Sequence, residues 1–187
     1  MAEPLFDQLQ QLQREFRGHP PVQRWHPELS GDMDLRICRD GRWVHEGTEI
    51  RRQSLVRLFA SILRREGDEY FLVTPVEKWR IQVEDVPFIA TQVAIGRERN
   101  RELLLFTTNT GDVVPLDHGH PFQLNPFGEP PQLVPYIEVR DGLQARLSRD
   151  VYYQLVEWAE DVPVEEKNTT GQLWIRSAGE RFLLGDY

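Results

Sequence analysis

Cysteine is nearly absent from this chain, since Cys38 is the only one among 187 residues. One cysteine excludes an intramolecular disulfide and offers no metal-binding spacing of thiols. Because Cys38 lies in an apolar run, we interpret it as a packing residue and not as a reactive thiol. The opening stretch MAEPLFDQLQQLQREF has neither a basic start nor a continuous apolar core. We therefore predict a cytoplasmic protein without a membrane span.

Basic residues are also scarce, with 22 against 30 acidic residues and a formal net charge of -8. A long polyanion would be repelled by such a chain, so we predict no nucleic-acid polymer as partner. The common catalytic motifs are missing as well: there is no phosphate-cradling glycine loop, serine elbow, CxxC or HExxH. The sequence therefore predicts a protein that is not an enzyme and carries no cofactor.

The apolar pattern that is present predicts a mixture of helices and strands. Leu5, Leu9, Leu12 and Phe16 fall on one helical face. We predict an amphipathic helix within residues 1–19, which either packs on its own domain or covers a partner.

A hairpin, a helix and a second hairpin follow in that order. The strand MDLRI is followed by a turn at Asp40-Gly41, the helical stretch LVRLFASILRR comes next, and the strands EYFLVT and KWRIQV complete the unit. Further along, a meander of strands leads to residues 117–131, which are rich in Pro, Gly and His and which we interpret as a connecting or binding loop.

The same order of hairpin, helix and hairpin recurs in shortened form near the C-terminus. RDGLQARLSRDVYYQLVEWA repeats the Asp-Gly turn and the helix, and QLWIRSAGERFLL repeats the last hairpin, with Glu180 matched to Glu77 and Arg181 to Lys78. We predict an α+β protein of two small domains with a duplicated hairpin-helix-hairpin core. Its predicted divisions are the helix of residues 1–19, a first domain at 20–85 and a second at 86–187.

A groove between the two repeats is the predicted binding site, because interfaces between domains commonly leave concave surfaces. Lysine and arginine would bind the anionic part of a small ligand, and threonine and asparagine would orient it. The predicted ligand-binding residues are Thr74, Glu77, Lys78, Asn109, Arg140 and Arg149. Ser148 is predicted to cap the second helix, where freed amides favour an anion.

Two other interpretations compete with ligand binding. In the first, the protein is an interaction adaptor that contacts another protein through Trp25, Trp43 or the N-terminal helix. In the second, which we disfavour, His118 and His120 form the metal site of a hydrolase, although their spacing supplies no third or fourth ligand. Glu77 has a structural alternative too, because it lies in a turn that its hydrogen bonds would hold.

Several stretches together resemble a bacterial family known as domain of unknown function 1285: DGRWVHEGTEI, LVRLFASILRR, FLVTPVEKWRIQVEDVPF, TNTGDVV and PYIEVRDGLQARLSRDVYYQLVEWA. The resemblance spans residues 20–187, and TPVEKWRIQVEDVPF is its most specific part. It implies a two-domain α+β core with a duplication and a C-terminal domain shaped like a pleckstrin-homology domain. It also implies a nucleotide-type ligand at the domain interface and a role in signalling.

Overall fold

The computed structural model describes residues 2–163 and 171–187. The chain divides into two compact units, Met1–Pro87 and Phe88–Tyr187. Both are built mostly from β-sheet with few helices, so the predicted two-domain α+β class is confirmed. Within the described residues, none of the helices has the length and apolar character needed to cross a membrane.

The first unit contains one six-stranded sheet with the strand order β3-β2-β1-β6-β5-β4. Its elements are α1 (Ala2–Glu15), a 3-10 turn (Val22–Arg24), β1 (Gly31–Ile37), β2 (Trp43–His45), β3 (Thr48–Glu49), α2 (Gln53–Ser61), β4 (Leu63–Glu66), β5 (Glu69–Val73) and β6 (Lys78–Val83). Strands β1 and β6 run parallel, and the other neighbours are antiparallel. Strand β5, which lies between β6 and β4, is buried from Tyr70 to Val73, as expected for a strand covered on both faces.

Helix α1 packs within the first unit. Its stripe of Leu5, Leu9 and Leu12 is buried, and the helix lies against α2. The residues offered above for an adaptor surface are also packed: Trp43 is 1% exposed, and Trp25 is half-buried against the ring of Phe16, with ring centroids 6.3 Å apart. Trp43 and the apolar face of α1 are therefore buried and not exposed as the adaptor hypothesis assumes, and burial of their apolar area stabilises this unit.

The second unit contains a six-stranded and a three-stranded sheet, ordered β10-β11-β12-β7-β8-β9 and β13-β14-β15. Its elements are β7 (Phe88–Glu98), β8 (Arg101–Thr108), β9 (Val113–Pro115), β10 (Phe122–Phe127), β11 (Gln132–Arg140), β12 (Leu143–Leu147), α3 (Arg149–Trp158), β13 (Glu160–Pro163), β14 (Gly171–Ser177) and β15 (Glu180–Asp186). Helix α3 packs on β7 with Val151 and Leu155 buried. Ser148 caps the helix as predicted, because its Oγ accepts a hydrogen bond from the amide of Val151.

In both units a hairpin that turns at Asp-Gly comes before a helix, and antiparallel strands come after the helix. Gly41 and Gly142 have φ of 90° and 77°, which glycine adopts at little cost. The sheets then differ. In the first unit the strands after α2 join the hairpin's own sheet through β1 and β6, whereas in the second unit the strands after α3 form the separate three-stranded sheet.

The segment 117–131 is not the loop that its composition predicts. Residues Phe122–Phe127 form β10, which pairs with β11 at the edge of the six-stranded sheet. Its Pro126 is compatible with this position, because an edge strand tolerates proline where one of its sides needs no hydrogen-bond donors. The interpretation as a loop is wrong for these six residues.

Candidate binding site on the C-terminal unit

The turn between β14 and β15 covers the edge of β8. Ser177 is 1% exposed, and its Oγ donates a hydrogen bond to the carbonyl of Leu116 (2.6 Å) and accepts one from the amide of Leu104 (2.8 Å). The amide of Ala178 donates to the carbonyl of Glu102 at 2.9 Å. These bonds satisfy backbone groups of Glu102 and Leu104 on β8, beyond the residues that pair with β9, and of Leu116 just after β9.

A small cavity of about 130 Å³ lies where β8 and β14 separate, beside the end of α3. Its lining is mainly apolar, although three charged side chains take part: Ile95, Glu102, Leu103, Leu104, Trp158, Glu160, Ile175 and Arg176. Leu104 and Ile175 are buried, whereas Ile95 is 57% and Trp158 37% exposed. The cavity therefore has a buried apolar floor and an accessible apolar rim.

An open groove continues from this cavity along the β14–β15 turn. It shares Glu102 and Arg176 with the cavity and adds Arg101, Glu180 and the turn residues 177–179. Arg101 is exposed and has no ion-pair partner within the described ranges 2–163 and 171–187. Two arginines thus line a groove that opens directly beside an apolar cavity.

The ion pairs around the cavity are exposed. Arg176 Nε lies 2.7 Å from Glu160 Oε1, and Arg181 Nη2 lies 3.9 Å from Glu160 Oε2. The Arg176 side chain is 67% exposed, so water competes strongly for this pair. A guanidinium has five N–H donors and one carboxylate does not use them all. Arg176 can therefore bind a second anion or exchange Glu160 for it at little cost.

Three of the predicted ligand residues, Thr74, Glu77 and Lys78, meet at one turn of the first unit. Thr74 is fully buried, and its Oγ1 accepts hydrogen bonds from the amides of Val76 (3.3 Å) and Glu77 (3.0 Å). The Glu77 carbonyl accepts from the Thr74 amide, whereas the Glu77 carboxylate accepts from Gln8 Nε2 on α1. The turn is thus held by the Thr74 hydroxyl and the Glu77 backbone, and not by the carboxylate.

Lys78 is engaged inside its own sheet. Its Nζ lies 2.7 Å from Glu66 Oε2 and 4.3 Å from the centroid of the Phe71 ring. The hydrogen bond from Lys78 is the main cause that lowers the pKa of Glu66; burial opposes this shift, and Arg64 adds to it. Because Lys78 is half-buried and already paired, it offers little charge to a ligand.

Asn109 and Arg140 meet at the turn between β8 and β9 in the second unit. The side-chain oxygen of Asn109 accepts a hydrogen bond from the amide of Ile89 at 3.0 Å. Arg140 Nη1 lies 3.2 Å from Asp112 Oδ1, and the guanidinium lies 5.1 Å from the centroid of the Phe88 ring. Burial lowers the pKa of Arg140 while Asp112 opposes the shift. These contacts fasten the turn to β7 and β11.

Arg149 stands apart from that turn. It is exposed in the first turn of α3, one residue after the cap Ser148. It has no ion-pair partner in the part of the chain that the structure describes. Of the three predicted cations, Arg149 alone is accessible for binding.

The two histidines of segment 117–131 contact different carboxylates. His120 Nδ1 lies 2.8 Å from Asp117 Oδ1, and His118 Nδ1 lies 3.8 Å from Glu180 Oε1. Among the described residues, no group of three or more His, Cys, Asp or Glu side chains is placed to hold a metal ion.

The cavity was missed by sequence reasoning because its parts come from distant segments. Trp158 ends a helix, Ile95 is an exposed residue of β7 that pairs with Leu104, and Arg176 precedes a hairpin turn. One signal was available, since an exposed tryptophan at a helix end is unusual without a partner or ligand.

Comparison with known proteins agrees with the division into two units. The model for the N-terminal domain of DUF1285, a domain of unknown function, matches residues 20–86, and the model for the DUF1285 C-terminal domain matches residues 87–184. The chain belongs to the DUF1285 family. The resemblance noted in the sequence is therefore confirmed.

Two solved structures are similar to this DUF1285 chain. The crystal structure of a DUF1285 family protein from Silicibacter pomeroyi DSS-3 is 40% identical, with a TM-score of 0.79, over 90% of this chain and 88% of that one. A DUF1285 family protein from Shewanella baltica OS155 is 33% identical, with a TM-score of 0.52, over 67% of this chain and 91% of that one. No curated protein matches the chain.

Proposed function

We propose that this DUF1285 chain is a non-enzymatic regulatory protein of the cytoplasm that binds a small anionic, nucleotide-type ligand on its C-terminal unit. The observation that carries the proposal is the groove lined by Arg101 and Arg176 beside the apolar cavity. Arginine suits this role because its planar donors match carboxylate and phosphate oxygens.

The accessibility of the arginines supports this groove over the turn that holds Arg140. The Arg140 side chain is 17% exposed and its partner Asp112 14%, so an anion would have to break a shielded pair. The Arg176 side chain is 67% exposed, and Arg101 is exposed too. Binding at the groove therefore costs less desolvation.

The position of Glu160 supports a regulatory role. Glu160 is the first residue of β13 and lies two residues after the end of α3, and its carboxylate contacts Arg176 on β14. An anion that takes Arg176 from Glu160 removes a side-chain link between β13 and β14, next to the end of α3. Ligand binding thereby alters a contact that joins two elements of the unit, as a population shift requires.

The shared order of elements supports a duplication as the origin of the two units, since each has an Asp-Gly hairpin, a helix and antiparallel strands. The packing of α3 on β7 supports the likeness of the C-terminal unit to a pleckstrin-homology domain. Neither feature is needed for the proposed ligand site.

A thermal-shift screen with nucleoside monophosphates and inorganic phosphate tests the proposal. We expect wild-type protein to be stabilised, by an amount that grows with ligand concentration, because the ligand binds the folded state. The double variant Arg101→Gln/Arg176→Gln should lose the shift. The matched control Arg149→Gln, at an exposed and unpaired position, should keep it.

Two results would count against this assignment. No stabilisation of the wild type by any of these anions at millimolar concentration would contradict ligand binding itself. A shift that survives in Arg101→Gln/Arg176→Gln but disappears in Arg149→Gln would move the anion to the start of α3.

A further inference from the structure

The size of the cavity on the C-terminal unit indicates how large an apolar group the ligand can place in it. The cavity measures about 130 Å³ and has buried Leu104 and Ile175 in its lining. An apolar cavity of about 150 Å³ in another protein stays dry and takes up benzene. A single ring therefore matches the size of this cavity.

The rim of the cavity suits a flat ring. Trp158 is 37% exposed and Ile95 57% exposed, and both line the opening. An aromatic ring between them would stack on the indole and cover apolar surface that water now contacts. A polar or purely aliphatic group would bind less tightly, because it cannot stack on the indole ring.

The charges fix the direction of the ligand. Glu102 and Arg176 line both spaces, Glu160 lines only the cavity, and Arg101 and Glu180 line only the groove, so the acidic side chains outnumber the basic ones in the cavity but not in the groove. An anionic group therefore lies more favourably in the groove, near Arg101 and Arg176, than in the cavity beside Glu160. Since Arg176 borders both spaces, one ligand can place its ring in the cavity and its anionic group in the groove.

We infer that the site takes a monocyclic aromatic anion, with its ring against Trp158 and its carboxylate or phosphate between Arg101 and Arg176. This inference rests on the proposed anion site and adds to it a subsite for the ring. Phenyl phosphate is the simplest probe of this class, and inorganic phosphate is its matched control without a ring.

Isothermal titration of the full chain with both probes tests the ring subsite. We expect phenyl phosphate to bind wild-type protein about tenfold more tightly than inorganic phosphate, as one aromatic stack contributes. Trp158→Ala should remove this difference and leave the affinity for inorganic phosphate unchanged. Trp158→Phe, which keeps an aromatic face, should retain most of it.

Ile95→Ala provides a second variant on a strand residue whose side chain is largely exposed, so that the test does not depend on the folding of Trp158→Ala. It should reduce the tenfold difference to a few-fold. Equal binding of the two probes by the wild type would overturn the ring subsite and leave the anion site standing. A difference that persists in both variants would also overturn it, and a failure of both probes to bind would remove the anion site as well.

Discussion

The turn at Thr74 in the first unit and the turn at Ser177 in the second occupy matched positions in the proposed repeat, yet their hydroxyls differ in use. Both side chains are buried. The Thr74 hydroxyl accepts hydrogen bonds from two amides of its own turn, whereas the Ser177 hydroxyl bonds Leu104 and Leu116 of another sheet. The first hydroxyl shapes a turn, and the second joins two sheets.

The surroundings of the hydrogen-bonded backbone groups determine how much each hydroxyl contributes to the stability of its unit. Val76, which donates to Thr74, is 67% exposed, so water can replace the lost acceptor. Leu104 and Leu116 are buried, and their backbone groups would be left without partners. A hydroxyl is therefore more valuable where it replaces a missing strand than where it closes a surface turn.

Ser177→Ala should have the largest effect on this comparison. It leaves two buried backbone groups unsatisfied, so we expect the free energy of unfolding of the second unit to fall by about 2 to 4 kcal/mol. Urea unfolding measures the loss, and hydrogen exchange at the Leu104 amide should become faster. Ser54→Ala, on the exposed face of α2, is the control and should change little.

Thr74→Val should cost about 1 kcal/mol, because it keeps the buried volume and removes only the local acceptor. Urea unfolding followed through the first unit measures it, and Thr74→Ser should recover most of the loss. If Thr74→Val proved as costly as Ser177→Ala, the contrast between a local and a bridging hydroxyl would be broken.

Lys78 and Arg181 follow the two turns at matched positions. We expect the smallest difference between the units here, in how stability depends on pH. Lys78 lowers the pKa of Glu66, so the stability from this pair is present above the unfolded-state pKa of Glu66 and is lost as pH falls through the lower folded-state value. We expect Lys78→Met to flatten the loss of stability between about pH 5 and pH 3. Arg181→Met, at the matched position near Glu160, is the control.

That control should leave the acid slope nearly as in wild type, because Arg181 and Glu160 are 3.9 Å apart and both well exposed. Thermal unfolding at several pH values gives both slopes. Equal slopes for wild type and Lys78→Met would show that the pair does not stabilise the first unit.

Local chemistry made much of the fold predictable. Alternation marked β1, spacing at three and four residues marked α2, and Asp-Gly turns placed both hairpins. Pairings between distant strands, such as the parallel pair of β7 and β12, leave no comparable trace in sequence. Strand β10 was hidden because Pro126 is harmless only at an edge, and edge position is a tertiary property.

The candidate site was less predictable for the same reason. Lys78 and Arg140 were predicted from their charge, but the carboxylates that occupy them, Glu66 and Asp112, are set by strand pairing. Trp158 and Arg176 reach one cavity because Glu160 pairs with Trp174 in the β13–β14 ladder. The sequence therefore predicted where the charged side chains are, whereas the register of the strands determined which of them remain accessible to a ligand.

The parallel pairing of β1 with β6 has a consequence for synthesis of the first unit. The two strands are the first and last of that sheet, and they are neighbours at its centre. A ribosome must therefore release residues up to Val83 before the sheet can close. Until then the edge of β1 that pairs with β6 stays open. The nascent chain is therefore most vulnerable to wrong strand pairing just before β6 emerges.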